Sequence, residues 1–158
     1  MTKLAKASPD EAYRLAKLKG LAGLKGLKIT DNFLWTEAFI HCSEADLQKT
    51  AYGVFKNILA QANTMELVRK QFGAPIIVSS WYRSYARNQR IGGSDTSFHL
   101  YGLATDFVVV GYETAAGNKS VQKTLDPLGF MQKCELEWTY GRWTHVATAG
   151  RRLRPHAR

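Results

Sequence analysis

Apolar positions along the chain change spacing several times, and each change marks an element. Ser8-Pro9-Asp10-Glu11 joins an N-cap hydroxyl, a proline at the first helical position and a glutamate able to reach back to the cap, which predicts a helix starting near Pro9. Ala12, Leu15, Ala16 and Lys19 follow one face of it. Leu18, Leu21, Leu24 and Leu27 continue at every third residue, but Gly20, Gly23 and Gly26 dilute the series and argue against a long helix. This basic, leucine-bearing segment suits packing on the body of the protein better than lying on a membrane. Ser43 followed by Asp46 predicts a second, longer helix with apolar positions Leu47, Ala51, Val54, Phe55, Ile58, Leu59, Ala62 and Leu67, stopped by Gly73 and Pro75.

The spacing then shortens to that of strands. Ile76-Ile77-Val78 reads as a buried strand feeding a polar loop from Ser79, and Phe107-Val108-Val109-Val110 reads as another. Between them Tyr85 to Arg90 can form a short helix and Gly92-Gly93-Ser94 a turn. After a loop through Gly117, Lys119 to Asp126 predicts a short helix ended by Pro127 and Gly129. A hairpin closes the chain, with strands Met131 to Trp138 and Arg142 to Thr148 and a bend at Tyr140-Gly141. Helices therefore precede and flank a small antiparallel sheet, an α+β plan without internal repeats.

Composition narrows this picture. The 158 residues, 45% hydrophobic, suffice for one globular domain with a real core. The longest apolar stretches fall far short of the ~18 to 20 residues that cross a bilayer, so a soluble chain is expected. No secretory signal is visible, which places synthesis in a cytoplasm. Cys42 and Cys134 form no C-x-x-C and no disulfide framework, and read as small buried or free thiols. The net charge of +9 is unevenly spread. Residues 1–28 hold seven Lys/Arg against two acids, 151–158 hold four Arg and no acid, and 29–150 are formally neutral. The expected layout is thus a basic N-terminal helical segment (1–28), a body (29–150) and an Arg-rich tail (151–158) in one domain. Such ends suit an anionic surface; nucleic acid is not expected, because the body does not gather Lys/Arg around aromatics.

Two of the four histidines stand out. His41, ending a helical segment, and His156, in the tail, have unremarkable surroundings. His99 lies in Ser97-Phe98-His99-Leu100-Tyr101-Gly102-Leu103-Ala104-Thr105-Asp106, which leads straight into an apolar strand. Burying Asp106 beside four apolar residues is costly unless a cation, a hydrogen-bond network or a metal compensates its charge. His145 sits in Trp143-Thr144-His145-Val146 on an expected strand. Two imidazoles and one carboxylate suit zinc, and three protein ligands leave a fourth tetrahedral position for water.

These residues resemble a known family: the zinc D-alanyl-D-alanine carboxypeptidases and phage endolysins of peptidase family M15, which share a fold with the Hedgehog signalling domain. Ser79-Ser80-Trp81-Tyr82-Arg83-Ser84 looks like the family's S-G-Y-R-S loop, and Asn88 with Gly92-Gly93-Ser94 looks like the N-x(3)-G-G-S that follows. Ser97-x-His99-x-x-Gly102-x-Ala104-x-Asp106 matches S-x-H-x-x-G-x-A-x-D, and Trp143-x-His145 matches the closing W-x-H. The elements occur in family order over roughly half the chain. The resemblance implies a Hedgehog/DD-peptidase-like α+β fold and Zn2+ bound by His99, Asp106 and His145. It also implies that Arg83 holds a substrate carboxylate or carbonyl and that Ser97 touches the peptide. The implied substrate is the peptide part of bacterial peptidoglycan, cut by a monomer that acts on the cell wall or is carried in a virion, its basic ends contacting an anionic envelope.

The family also uses a glutamate three or six residues before the last histidine to move protons. Arg142 and Thr139 stand at those positions here, and the nearest acids are Glu137 and Glu135. Hairpin geometry decides between them, because directly opposed residues share a face. A loop of Tyr140-Gly141-Arg142 sets Glu137 opposite His145, a loop of Thr139-Tyr140-Gly141 sets Glu135 there, and a two-residue turn at Tyr140-Gly141 turns both away. Glu137 is the expected general base, with Glu135 the fallback. The same departures leave room for a member whose metal stays but whose chemistry has lapsed, acting as a wall-binding or structural module.

Overall fold

A computed structural model of the protein describes residues 4–128, 134–137 and 143–148. Helix α1 (Pro9–Lys19) starts as its sequence dictates, with the Ser8 hydroxyl accepting from the Glu11 amide. It stops at Gly20, and a 3-10 segment (Gly20–Leu24) follows in place of more α-helix. This N-terminal stretch is built into the body. Ala7, Ala12, Ala16 and Leu24 join the main core, and Trp35 donates its ring N–H to the Ala7 carbonyl. Three of its seven cations have structural work: Lys6 pairs with Asp31, Lys28 donates to the Asp31 carbonyl, and Lys17 donates to the Leu47, Gln48 and Thr50 carbonyls.

That last cluster explains a departure from the sequence reading. The single helix expected from Ser43 is two, α3 (Glu44–Lys49) and α4 (Tyr52–Phe72), separated by extended backbone at Thr50 and Ala51. Lys17 gathers the Leu47, Gln48 and Thr50 carbonyls at the end of α3, a cap supplied by a residue about thirty positions away, so helical propensity could not reveal the break. A short helix α2 (Trp35–Ala38) precedes them. Helix α4 buries Val54, Phe55, Ile58, Ala62, Met65 and Val68, while Leu67, expected on its apolar face, is exposed.

The sheet contains β1 (Ile76–Ser80), β2 (Ala104–Val109), β3 (Cys134–Glu137) and β4 (Thr144–Thr148), ordered β1-β2-β4-β3 and antiparallel throughout. Strand β1 is at an edge and alternates, so Ile77 is exposed instead of buried. Helix α5 (Tyr85–Arg90) lies where the sequence predicts it. Helix α6 (Ala115–Leu125) starts earlier than expected, because the Thr114 hydroxyl caps it at the Gly117 amide. The proposed bend at Tyr140-Gly141, the first residues of the β3 strand as expected, and the tail with His156 lie outside the described residues.

The two faces of β2 have different neighbours. Thr105 and Phe107 face the helical layer, where buried Gln61 of α4 donates to the Thr105 hydroxyl and the Val146 carbonyl and accepts from the Thr148 amide and hydroxyl. One glutamine thus ties α4 to both central strands with its polar atoms satisfied, as a buried amide requires. Ala104 and Asp106 alternate onto the other face, opposite Ala147 and His145 of β4. There Phe98, Leu103, Ala104 and Ala147 form a small separate apolar cluster. No helix among the described residues is long and apolar enough to cross a membrane.

Candidate metal centre

The S-x-H-x-x-G-x-A-x-D segment makes a one-turn 3-10 helix (Phe98–Tyr101), a left-handed glycine and then β2. The Ser97 hydroxyl accepts from the His99 amide at 3.3 Å and starts the turn. Gly102 ends it at φ 74°, and a Cβ there would stand 2.8 Å from Ile58 Cγ1, so both conformation and packing require glycine. Ala104 is fully buried under Phe98, and Asp106, two residues on, shares its face. The spacing of the motif is therefore set by a turn, a close approach and a strand period.

The preceding loop grips His99 from the other side. The Trp81 ring N–H donates to the Gly102 carbonyl at 3.0 Å, and the Trp81 carbonyl accepts from His99 Nδ1 at 2.6 Å. The Arg83 amide donates to the His99 carbonyl at 3.1 Å. A carbonyl only accepts, so Nδ1 carries the proton and Nε2 keeps a lone pair. Asn88 and the Gly-Gly-Ser turn hold this loop closed. Asn88 Nδ2 donates to the Ser94 carbonyl, and a Cβ on Gly93 would run into the Asn88 amide at 2.2 Å. Sequence reasoning missed the part of Trp81, which acts through its backbone and ring nitrogen; an aromatic in a buried loop beside a motif histidine was the available signal.

His99, Asp106 and His145 come together as a buried group whose ligand atoms lie within 4.8 Å of one another. His99 Nε2 is 3.2 Å from Asp106 Oδ1 and 3.3 Å from His145 Nδ1, and Asp106 Oδ1 is 2.6 Å from His145 Nδ1. Ligands about 2.0 to 2.1 Å from a tetrahedral zinc stand roughly 3.3 to 3.4 Å apart. Two of the three separations already meet this, and the third is a hydrogen bond that has to lengthen by less than ~1 Å. The donor set, two imidazole nitrogens and a carboxylate oxygen, is the type that holds zinc with a position left open. The residues therefore fit the metal.

Electrostatics point the same way. Burial pushes the His99 imidazole below its ordinary value, so it is neutral at neutral pH, as a ligand must be. Burial alone would push Asp106 up, but the imidazoles of His145 and His99 beside it, the His145 hydrogen bond first among them, outweigh burial and hold the carboxyl well below its usual range. Arg83 Nη2 pairs with the second oxygen, Asp106 Oδ2, and Arg83 Nε donates to the Ser80 hydroxyl at 3.0 Å. Arg83, expected on a substrate, is thus found on a candidate ligand.

A row of residues crosses the sheet at the level of the site. A bulge in β1 between Val78 and Ser80 sets Ser80 opposite Asp106, Asp106 faces His145, and His145 faces Glu137 of β3. This is the register of the three-residue-loop alternative, and Glu135 stands two positions away, opposite Ala147. His41, read as unremarkable, bonds through Nε2 to the Ser79 carbonyl on the outer side of β1. Cys42 is a buried free thiol whose pKa burial pushes up to about 12, outside the site's chemistry.

Compared with known proteins, the chain matches the family described as Peptidase M15 over residues 25–147. No curated protein matches it.

Proposed function

The chain belongs to the peptidase M15 family, a metallopeptidase family, and on that premise we propose that it is a zinc-dependent peptidase that hydrolyses the peptide part of bacterial peptidoglycan. The observation that carries this reading is the convergence of His99 Nε2, Asp106 Oδ1 and His145 Nδ1 inside the fold. These three are assigned as the metal ligands. Zinc bound by such a set lowers the pKa of its water toward ~7 and polarises a scissile carbonyl.

The other roles fall to residues around the three. Glu137, at the register position opposite His145, is assigned the proton that leaves the attacking water and returns to the departing amine. Arg83 is assigned a substrate carboxylate or carbonyl through paired guanidinium hydrogen bonds. Ser97, its oxygen already accepting from the His99 amide, keeps its hydroxyl proton for a peptide carbonyl. The substrate bond involves a D-amino acid, cut as a D,D-carboxypeptidase or endopeptidase. The biological setting that fits is a phage-type lysis enzyme acting on the wall or carried in a virion. Its cationic 1–28 and 151–158 segments would touch anionic envelope polymers, in which case wall binding weakens as salt rises.

Mass spectra of muropeptides, taken after incubating zinc-loaded protein with purified peptidoglycan, test the activity and name the bond. Glu137→Gln should keep zinc and lose about 10² to 10⁴ of turnover, and unchanged turnover would remove Glu137 from the mechanism. A second reading, a wall-binding member whose chemistry has lapsed, is favoured by Thr139 and Arg142 at the family's glutamate positions. It predicts zinc uptake and wall binding with no released fragment.

A further inference from the structure

The two oxygens of Asp106 have separate partners. Oδ1 faces both imidazoles, and Oδ2 faces Arg83. Both members of the ion pair are largely out of solvent, with 14% of the Arg83 side chain and 8% of the Asp106 side chain exposed. Arg83 is itself held in place. Its Nε donates to Ser80, which is 8% exposed and stands opposite Asp106 only because the β1 bulge shifts the register there. Its amide donates to the His99 carbonyl. One residue therefore contacts two of the three ligand-bearing segments, β2 through its side chain and the 3-10 turn through its backbone.

From this we infer that Arg83, braced by Ser80, is a positioning residue for the metal site, occupying Asp106 Oδ2 so that the carboxylate presents Oδ1 to the metal. The inference rests on the metal reading given above and gives Arg83 a second task beside the substrate contact, because substrate binding alone does not call for a buried carboxylate partner. Geometry explains why arginine stands here. A rigid planar guanidinium can meet Ser80 with one nitrogen and Asp106 with another, whereas a lysine ammonium is a point charge on a flexible stem that cannot hold both at fixed angles. Groups that fix a ligand's orientation commonly tune metal affinity about 10- to 100-fold.

The test uses the full chain and zinc alone. Zinc affinity is measured by competition with a chromophoric chelator for the wild type, Arg83→Lys and Ser80→Ala, with thermal unfolding of the metal-free proteins to establish that each is folded. Arg83→Lys keeps the positive charge but loses the fork, and its zinc dissociation constant should rise about 10- to 100-fold. Ser80→Ala leaves the Arg83 side chain itself unchanged and should weaken zinc in the same direction by a smaller factor. Wild-type affinity in both variants, with any effect confined to KM, overturns the inference while leaving the metal reading intact. If Arg83→Lys fails to fold, Ser80→Ala decides alone. A wild-type protein that takes up no zinc overturns the metal reading and this inference together.

Discussion

The site has two halves that are fixed by different means. Around His99 and Asp106, side chains and backbone from the 3-10 turn, the β1–α5 loop and β1 fix the positions of the candidate ligand atoms: Trp81 sets the His99 tautomer, Gly102 sets the turn, and Arg83 holds Asp106 Oδ2. On the other side, His145 and Glu137 owe their places to strand register, β2 against β4 and β4 against β3. The first half is a device of side-chain and backbone contacts between the β1–α5 loop and the segment of the 3-10 turn and β2. The second depends on alignment, where a slip of one residue would carry a side chain to the opposite face. Metal affinity should therefore draw on both halves, through His99 and Asp106 on one side and His145 on the other, whereas the proton transfer assigned to Glu137 depends on the second.

Asp106→Asn should break both halves at once and have the largest effect. The substitution keeps the side chain's shape but removes the charge that His99, His145 and Arg83 all face. It takes the Asp106 charge away from the largely buried Arg83 guanidinium, and breaking a buried pair in this way costs about 3 to 5 kcal/mol. Urea unfolding of the metal-free protein should show that loss, and metal analysis of the purified variant should find no zinc. Stoichiometric zinc in Asp106→Asn would mean that the carboxylate is not a ligand.

Gly102→Ala should separate the halves, because its damage is confined to the first. An alanine held at φ 74° costs about 1 to 2 kcal/mol, and crowding Ile58 adds about 1 to 3 kcal/mol. A stability loss of about 2 to 5 kcal/mol, measured by denaturant unfolding, should come with weakened zinc binding as the His99 turn shifts. Glu137→Gln should show the reverse pattern, with zinc kept and turnover lost. If Gly102→Ala lost stability but bound zinc like the wild type, the turn would not be what places His99.

What the sequence disclosed follows the same division. The motif part of the first half was legible because its constraints are local: a hydroxyl before a turn, a glycine where φ is positive, an alanine and an aspartate two apart on one strand face. The α+β plan, the start of α1 and the placing of α5 were legible for the same reason, through caps and turn residues. Long-range contacts were not. The break between α3 and α4 depends on Lys17, the exposure of Ile77 on an edge position that only the sheet order defines, and the early start of α6 on a Thr114 cap within a stretch whose composition suits a loop. Arg83 shows both limits. Its place in the loop was visible from the motif, yet its pairing with Asp106 needed the β1 bulge and the fold of two separate segments.

Ser97→Ala makes the finest cut, because the hydroxyl has a structural bond and a proposed substrate bond on the same oxygen. Removing the bond to the His99 amide takes away the N-cap of a single turn, and a loss of about 0.5 to 1 kcal/mol in denaturant unfolding is expected. That small loss leaves the protein almost entirely folded, so it cannot by itself change steady-state kinetics. A hydrogen bond donated to the peptide is worth about 0.5 to 1.5 kcal/mol, so its removal should raise KM roughly 2- to 12-fold. Lower stability with an unchanged KM would make Ser97 a cap for the first half alone, and the peptide would then be oriented by other residues of the site.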